Sequence, residues 1–429
     1  MRKGYRGRIF DFENTDTGKP ENHFRYFENG LLIVENGRVI LAGDYREITQ
    51  KQPAEIEIED YGNALIMPGF YDLHVHSVQT KAIASFGKEL LDWLDNYIFP
   101  AERKFSDPGY AREHTRFFLQ QLLRSGTTTA MVYPSVDEAS TEALFELAAE
   151  MNIRIISGNT WMDRNAPDYL VKTPGESYEL SEKLIDKYHK TGRNHFAVTP
   201  RYAITSSPEA LKMAAKLFHA YDDLYLQTHI SENHKEIETV NHSYPNHRNY
   251  LDVYDDSGML SPRTFLGHGI HLADDELERI AATGTHIVHC PSSNLFLGSG
   301  LFDYKRVREH GVNVTLGSDV GAGTGFSMLQ TLQDAYKVSA MNGHPMHALT
   351  GFYMLTLGAA KALGLENVSG NFDPGKEADF VVIDPSLNPL LQYRIAEAES
   401  IADVLFALMI LGDERVVKET FLMGKRVER

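Results

Sequence analysis

Between residues 65 and 320, eight short β-rich runs alternate with stretches of helical spacing, and this alternation constrains the fold more than any other feature of the chain. The first run ends at His76. The others are Thr127–Tyr133, Arg154–Ser157, Phe196–Thr199, Leu224–His229, Thr264–His268, His286–Cys290 and Val314–Ser318. Segments such as Thr141–Met151, Pro208–His219 and Asp274–Thr283 carry apolar residues at helical intervals between them. Strands joined by helical crossovers pair in parallel, and eight such units predict a (β/α)8 TIM barrel. The flanks read differently. Residues 31–43 form two short strands around Asn36-Gly37, a hairpin signal, and further strands are expected over Ala378–Ile383 and over Glu419–Val427 around Met423-Gly424. The expected architecture is therefore α/β. Its barrel spans 68–372, and a small β-sandwich domain is built from both termini, 1–67 together with 373–429.

Composition narrows the class. A 429-residue chain with 42% hydrophobic and 24% charged residues has the make-up of a protein that builds a large core. Its net charge of −17 repels a phosphate backbone, so nucleic-acid binding is not expected. Cys290 is the single cysteine, which excludes an internal disulfide and fits a reducing compartment. The N-terminus lacks the apolar core of a signal peptide, and the most apolar late stretch, Ile401–Leu411, is too short to cross a bilayer. A cytoplasmic protein without membrane contact is the expectation.

In a (β/α)8 barrel the chemistry sits at the C-terminal ends of the strands. Those ends carry a consistent polar set. Residues 68–76 read Pro-Gly-Phe-Tyr-Asp-Leu-His-Val-His, and strand alternation points His74 and His76 the same way. His229 stands at the fifth strand end, His268 at the sixth, His289 near the seventh and Asp319 just past the eighth. A lone His-x-His is weak evidence for a metal. Several donors at successive strand ends of one barrel are strong evidence. His74, His76, His229 and Asp319 supply three imidazoles and one carboxylate, a set suited to Zn2+ and compatible with Fe2+, with room for a water. Glu232, just past His229, places a carboxylic acid where the loop bends over that site, positioned to move protons.

These motifs resemble the amidohydrolase superfamily, and within it the guanine deaminase family. The similarity runs almost end to end. It includes Gln79, Leu90–Leu94 leading to Phe99-Pro100-Ala101-Glu102, Gly126–Ala130 and Thr199-Pro200-Arg201-Tyr202. It continues through Thr228–Asn233, His268-Gly269, His289–Leu295 and Ser318-Asp319 to Leu411–Arg415. The resemblance implies one zinc per subunit on His74, His76, His229 and Asp319. Glu232 would be the proton shuttle, His268 would orient the attacking water, and Asp319 would double as the base. Gln79 and Arg201 resemble the purine-reading residues, with Trp93, Leu94 and Tyr202 as walls for a flat base. Arg is donor-only, which suits the C6 oxygen of guanine, and an amide offers a donor and an acceptor to ring nitrogens. Guanine and water are the implied partners, xanthine and ammonia the products, and a homodimer the implied assembly.

The chain departs from the family pattern at Tyr202 (often Phe), Ser318 (commonly Thr), Gly267 (commonly Ala) and the loop Val320-Gly321-Ala322-Gly323. The fourth strand end, Val198-Thr199-Pro200, lacks the lysine that bridges two metals in binuclear relatives, so one metal is expected. A single cysteine also excludes the Cys-x-x-Cys zinc site of cytidine-type deaminases. The enzymatic alternative is another mononuclear aminohydrolase acting on 8-oxoguanine, cytosine or a thioadenosine. The non-enzymatic alternative is a barrel scaffold without metal.

Overall fold

The computed structural model describes residues 2–15, 19–51, 56–87 and 90–428. The β-rich runs become eight parallel barrel strands: Phe70–His76, Thr127–Tyr133, Arg154–Ser157, His195–Pro200, Tyr225–Ile230, Thr264–His268, His286–His289 and Asn313–Leu316. They neighbour one another in chain order, and the short strand Thr160–Trp161 pairs beside the fourth. The ring is drawn together where the eighth strand end meets the first. There the Asp319 N–H donates to the His74 carbonyl at 2.8 Å, and the His76 N–H to the Val320 carbonyl at 2.9 Å.

Burial on both faces explains why the strands read as continuous apolar or small-residue runs. All seven residues of Thr127–Tyr133 are buried. Inward side chains including Leu73, Met131, Ile156, Ala197, Phe265 and Val288 form one packed layer, closed from below by Ala359–Leu365. The crossover helices obey ordinary end rules. Pro208–His219 starts with the Ser207 side chain accepting the Ala210 N–H and buries Leu211, Ala214, Ala215 and Phe218 on one face.

One irregularity matters for the site. Pairing between the first two strands shifts register between Asp72 and Val75. Leu73 joins the interior layer and Val75 the outer core, while His74 and His76 both reach the mouth of the barrel. Simple alternation would have put Leu73 and Val75 on one face.

The termini build the second sheet, seven strands in a single hydrogen-bonded path. The strand Glu57–Pro68 lies at its centre. It runs parallel to Arg2–Phe12 and antiparallel to Phe380–Ile383, and then feeds directly into the first barrel strand. The hairpin between Phe24–Glu35 and Arg38–Asp44 turns at Asn36 and Gly37, both with positive φ (53° and 80°), the conformation of a type I′ turn. A bridge between Arg38 and Glu377 brings the far edge of the sheet back towards its other half. The space between holds Tyr5, Phe380 and Phe421, with the last two rings stacked at 4.2 Å. The C-terminal span also contributes a helix, Ile401–Leu411, which packs against Met328–Met341. The span expected for the composite domain includes residues 1, 16–18, 52–55 and 429, which lie outside the described residues.

Candidate active site

The strand ends bring His74, His76, His268 and Asp319, all buried, and the half-buried His229 into one cluster at the mouth of the barrel. His76 Nε2 lies 3.2 Å from Asp319 Oδ1 and 3.3 Å from His229 Nε2, and His74 Nε2 lies 3.5 Å from Asp319 Oδ1. Donor atoms on a tetrahedral shell with bonds of about 2.0–2.1 Å sit about 3.3 Å apart. The spacing is therefore that of ligands around a common centre. His74 Nε2 is buried with no hydrogen-bond partner, a loss that a bound cation would repair. Residue types, spacing and this orphaned nitrogen all fit a divalent metal.

Neighbouring groups set the ring orientations. His229 Nδ1 donates to the Arg201 carbonyl at 2.6 Å, so its Nε2 is the free lone pair in the neutral ring. His268 Nδ1 lies 2.9 Å from Asn294 Oδ1, which leaves Nε2 facing Asp319 Oδ2 at 3.7 Å and Glu232 Oε2 at 3.4 Å. Tyr133 lies under the cluster, its ring 4.7 Å from that of His76 and 4.8 Å from that of His229. Burial pushes His74 down to about 4 and holds His229 well below the ordinary imidazole value, which keeps both rings available as neutral donors. Burial opposes ionisation of Asp319, but the adjoining imidazoles of His74, His76 and His268 outweigh it and hold the carboxyl well below its usual range.

The backbone is strained where these side chains are presented. Ser231, His268 and Asp319 have φ of 47°, 71° and 51°, values that non-glycine residues rarely adopt. At Ser231 this turns the chain so that Glu232 faces the cluster. The turn is held by Glu236, whose carboxylate accepts the Glu232 N–H at 2.7 Å and the Asn233 N–H at 3.0 Å. Burial pushes the Glu232 carboxyl up to about 7, although neighbouring His268 lowers it, so it exchanges a proton near neutrality.

A cavity opens above the cluster. His76, His229, Glu232, His268 and Asp319 line one end, and Gln79 and Arg201 also reach it. Leu90, Trp93, Leu94 and Tyr202 supply its apolar and aromatic walls. Every site residue expected from the sequence thus reaches the cavity or, for His74, lies directly beside it in the cluster. His289 stands apart, its ring stacked 4.5 Å from that of Phe302. Sequence reasoning assigned no role to Asp72, Glu102, Glu236, Asn294 and Ser299, the last of which donates its hydroxyl to Glu232 Oε1 at 3.4 Å. Only Glu236 left a local signal, as the acidic N3 residue of a capping box on His234–Ser243.

A parallel eight-stranded barrel that gathers imidazoles and a carboxylate at its C-terminal mouth defines a hydrolase of the metal-dependent barrel class. The chain belongs to the amidohydrolase family, whose family model matches residues 65–427. It is 45% identical over 427 residues to the guanine deaminase of Escherichia coli K12, a match that covers 99% of this chain and 97% of that protein. It is 35% identical to a probable guanine deaminase of Deinococcus radiodurans, over 98% of each chain. Among solved structures, E. coli guanine deaminase superposes with a TM-score of 0.95 at 44% identity, covering 100% of this chain and 99% of that one. Guanine deaminase from C. acetobutylicum, solved with guanine in its active site, superposes with a TM-score of 0.89 at 29% identity over 100% of both chains.

Proposed function

We propose that this chain hydrolyses guanine to xanthine and ammonia, a step in purine catabolism and salvage. The observation that carries the reading is the polarity of the cavity. Its inner end holds the imidazole–carboxylate cluster and Glu232, and Arg201 and Gln79 add donors suited to a purine edge. Trp93, Leu94 and Tyr202 add walls for a flat ring, with stacking worth about 1–3 kcal/mol per aromatic contact. Full-length similarity to guanine deaminases supports the same reading.

In this reading His74, His76, His229 and Asp319 hold one zinc ion. Their mixture of nitrogen and carboxylate donors suits zinc and is compatible with Fe2+. Bound there, the ion lowers the pKa of water from about 15.7 to about 7 and polarises the bond under attack. Asp319 takes a proton from the attacking water, and His268, oriented by Asn294, directs that water at C2 of the base. Glu232 protonates N3 as the ring loses aromaticity; the proton taken up by Asp319 passes to the departing C2 amine, and the C2 hydroxyl proton returns to Glu232 as the new carbonyl forms. His268 also stabilises charge developing on oxygen, the kind of contribution that is usually the largest.

The units are the barrel, 68–372, and the composite β domain, 1–67 with 373–429. Homodimerisation, implied by the resemblance to guanine deaminases, is our reading of the assembly. Among the described residues no helix is long and apolar enough to cross a membrane, and the single buried Cys290 suits the cytoplasm.

The test is ammonia release from a panel of free bases, before and after chelation. Fast turnover of guanine that chelation abolishes is expected. No turnover of guanine beside fast turnover of cytosine, 8-oxoguanine or a thioadenosine would sink the assignment. Absence of stoichiometric metal from the purified protein would favour a scaffold.

A further inference from the structure

Glu102 is fully buried, yet it does not line the cavity. It comes from the excursion that follows the first barrel strand: Leu90–Trp93, a π-helical turn Leu94–Ile98, then Phe99–Glu102. Its Oε1 accepts from Arg201 Nη1 at 2.7 Å and from Gln79 Nε2 at 3.3 Å. Phe99, one helical turn earlier on the same face, places its ring 5.6 Å from the Arg201 guanidinium. A single short helix therefore grips Arg201 by charge and by ring.

The contact with Gln79 removes an ambiguity. An amide side chain can present either its oxygen or its nitrogen to a ligand. Here Gln79 Oε1 accepts the Gly321 N–H at 3.2 Å, and Nε2 donates to Glu102. Both ends are matched to a partner of the right sense, and a flipped amide would set its oxygen against a carboxylate. One N–H of Gln79 and one lone pair of its carbonyl remain for a ligand.

We infer that Glu102 is a positioning residue for base recognition, locking the Gln79 amide in one sense and the Arg201 guanidinium in one place through a shared carboxylate oxygen. The inference rests on the guanine reading, in which Arg201 meets the C6 oxygen. It adds that base selectivity is set one layer behind the cavity wall. It also explains why a carboxylate is buried there, since a fixed guanidinium loses less on binding than one that must first be ordered.

The experiment compares guanine with 2-aminopurine, which carries the same C2 amine and lacks the C6 oxygen, as substrate or as competitive inhibitor. Glu102→Gln is expected to lower kcat/KM for guanine about 10- to 100-fold, mainly through KM. Binding of 2-aminopurine, which loses the hold on Gln79 but has no C6 oxygen for Arg201, should fall by several-fold less than that of guanine, with metal content unchanged. Arg201→Met should erode the same preference. Preference lost in Arg201→Met and kept in Glu102→Gln overturns the inference alone. Preference kept in both overturns the guanine reading and the inference with it. Equal losses on both bases in Glu102→Gln reveal a merely structural role and also overturn it. If Glu102→Gln does not fold, Glu102→Asp keeps the charge but withdraws it. A partial loss of preference in that variant supports the inference, and none overturns it.

Discussion

The Asp72 carboxylate accepts the Ser318 N–H at 2.9 Å across 246 residues of chain, and it also takes the Ser318 hydroxyl. It thereby fastens the turn that presents Asp319 to the strand that presents His74 and His76. Asp72→Ala leaves both Ser318 groups buried without a partner, at about 1–3 kcal/mol each. The expected outcome is lower metal affinity together with lower stability, read by metal titration and by denaturant unfolding. A variant with wild-type metal affinity would show that Asp72 does not brace the site.

Glu232→Gln keeps the shape of the side chain and removes its ability to carry a proton. The four expected metal donors are left in place, because the contact of Glu232 with the cluster is through His268, at 3.4 Å. Turnover should fall by 100-fold or more while stoichiometric metal is retained, since general acid–base groups contribute about 10²–10⁴ in rate. Elemental analysis and steady-state ammonia release measure the two quantities separately. Near-normal activity would refute the shuttle role.

Asn294→Ala frees His268 Nδ1 and lets the ring turn away from Glu232 and Asp319. Loss of such an orienting partner typically costs about 10–100-fold in activity or metal affinity. Because His268 is read as orienting water rather than holding metal, the loss should fall on kcat with metal content unchanged. Loss of metal instead would make His268 a ligand.

Metal removal should destabilise the barrel mouth. Three imidazoles and a carboxylate left without their cation are a poor core, and any ligand bound only by the folded state adds to stability. At a thousandfold excess of free metal over Kd the gain is about 4 kcal/mol, roughly 5 °C in Tm for a chain of this length. Differential scanning fluorimetry of chelated and zinc-reloaded protein measures it, and identical melting curves would argue against the site.

The strand sequence of the barrel was legible because helices and strands obey local periods. Thr127–Tyr133, Arg154–Ser157 and Thr264–His268 form strands over the spans read from pattern alone, and Pro208–His219 and Asp274–Thr283 are helices. The site donors were legible because barrel chemistry collects at strand ends, and those ends are recognisable once the strands are. Asn36-Gly37 announced its hairpin through the left-handed backbone it must adopt.

Other relationships depend on partners far along the chain. Alternation alone could not show that Leu73 faces the interior while His74 and His76 reach the site, because the register shift arises where the first strand meets the second. Nor could it show that Glu102 serves Gln79 and Arg201, since a helical Glu usually faces water. Periodicity and end signals act over a few residues, so the local elements and the chemical types at their ends are written in the chain itself. Which donors share a centre, and which buried carboxylates hold the others in place, follows from barrel closure and three-dimensional packing.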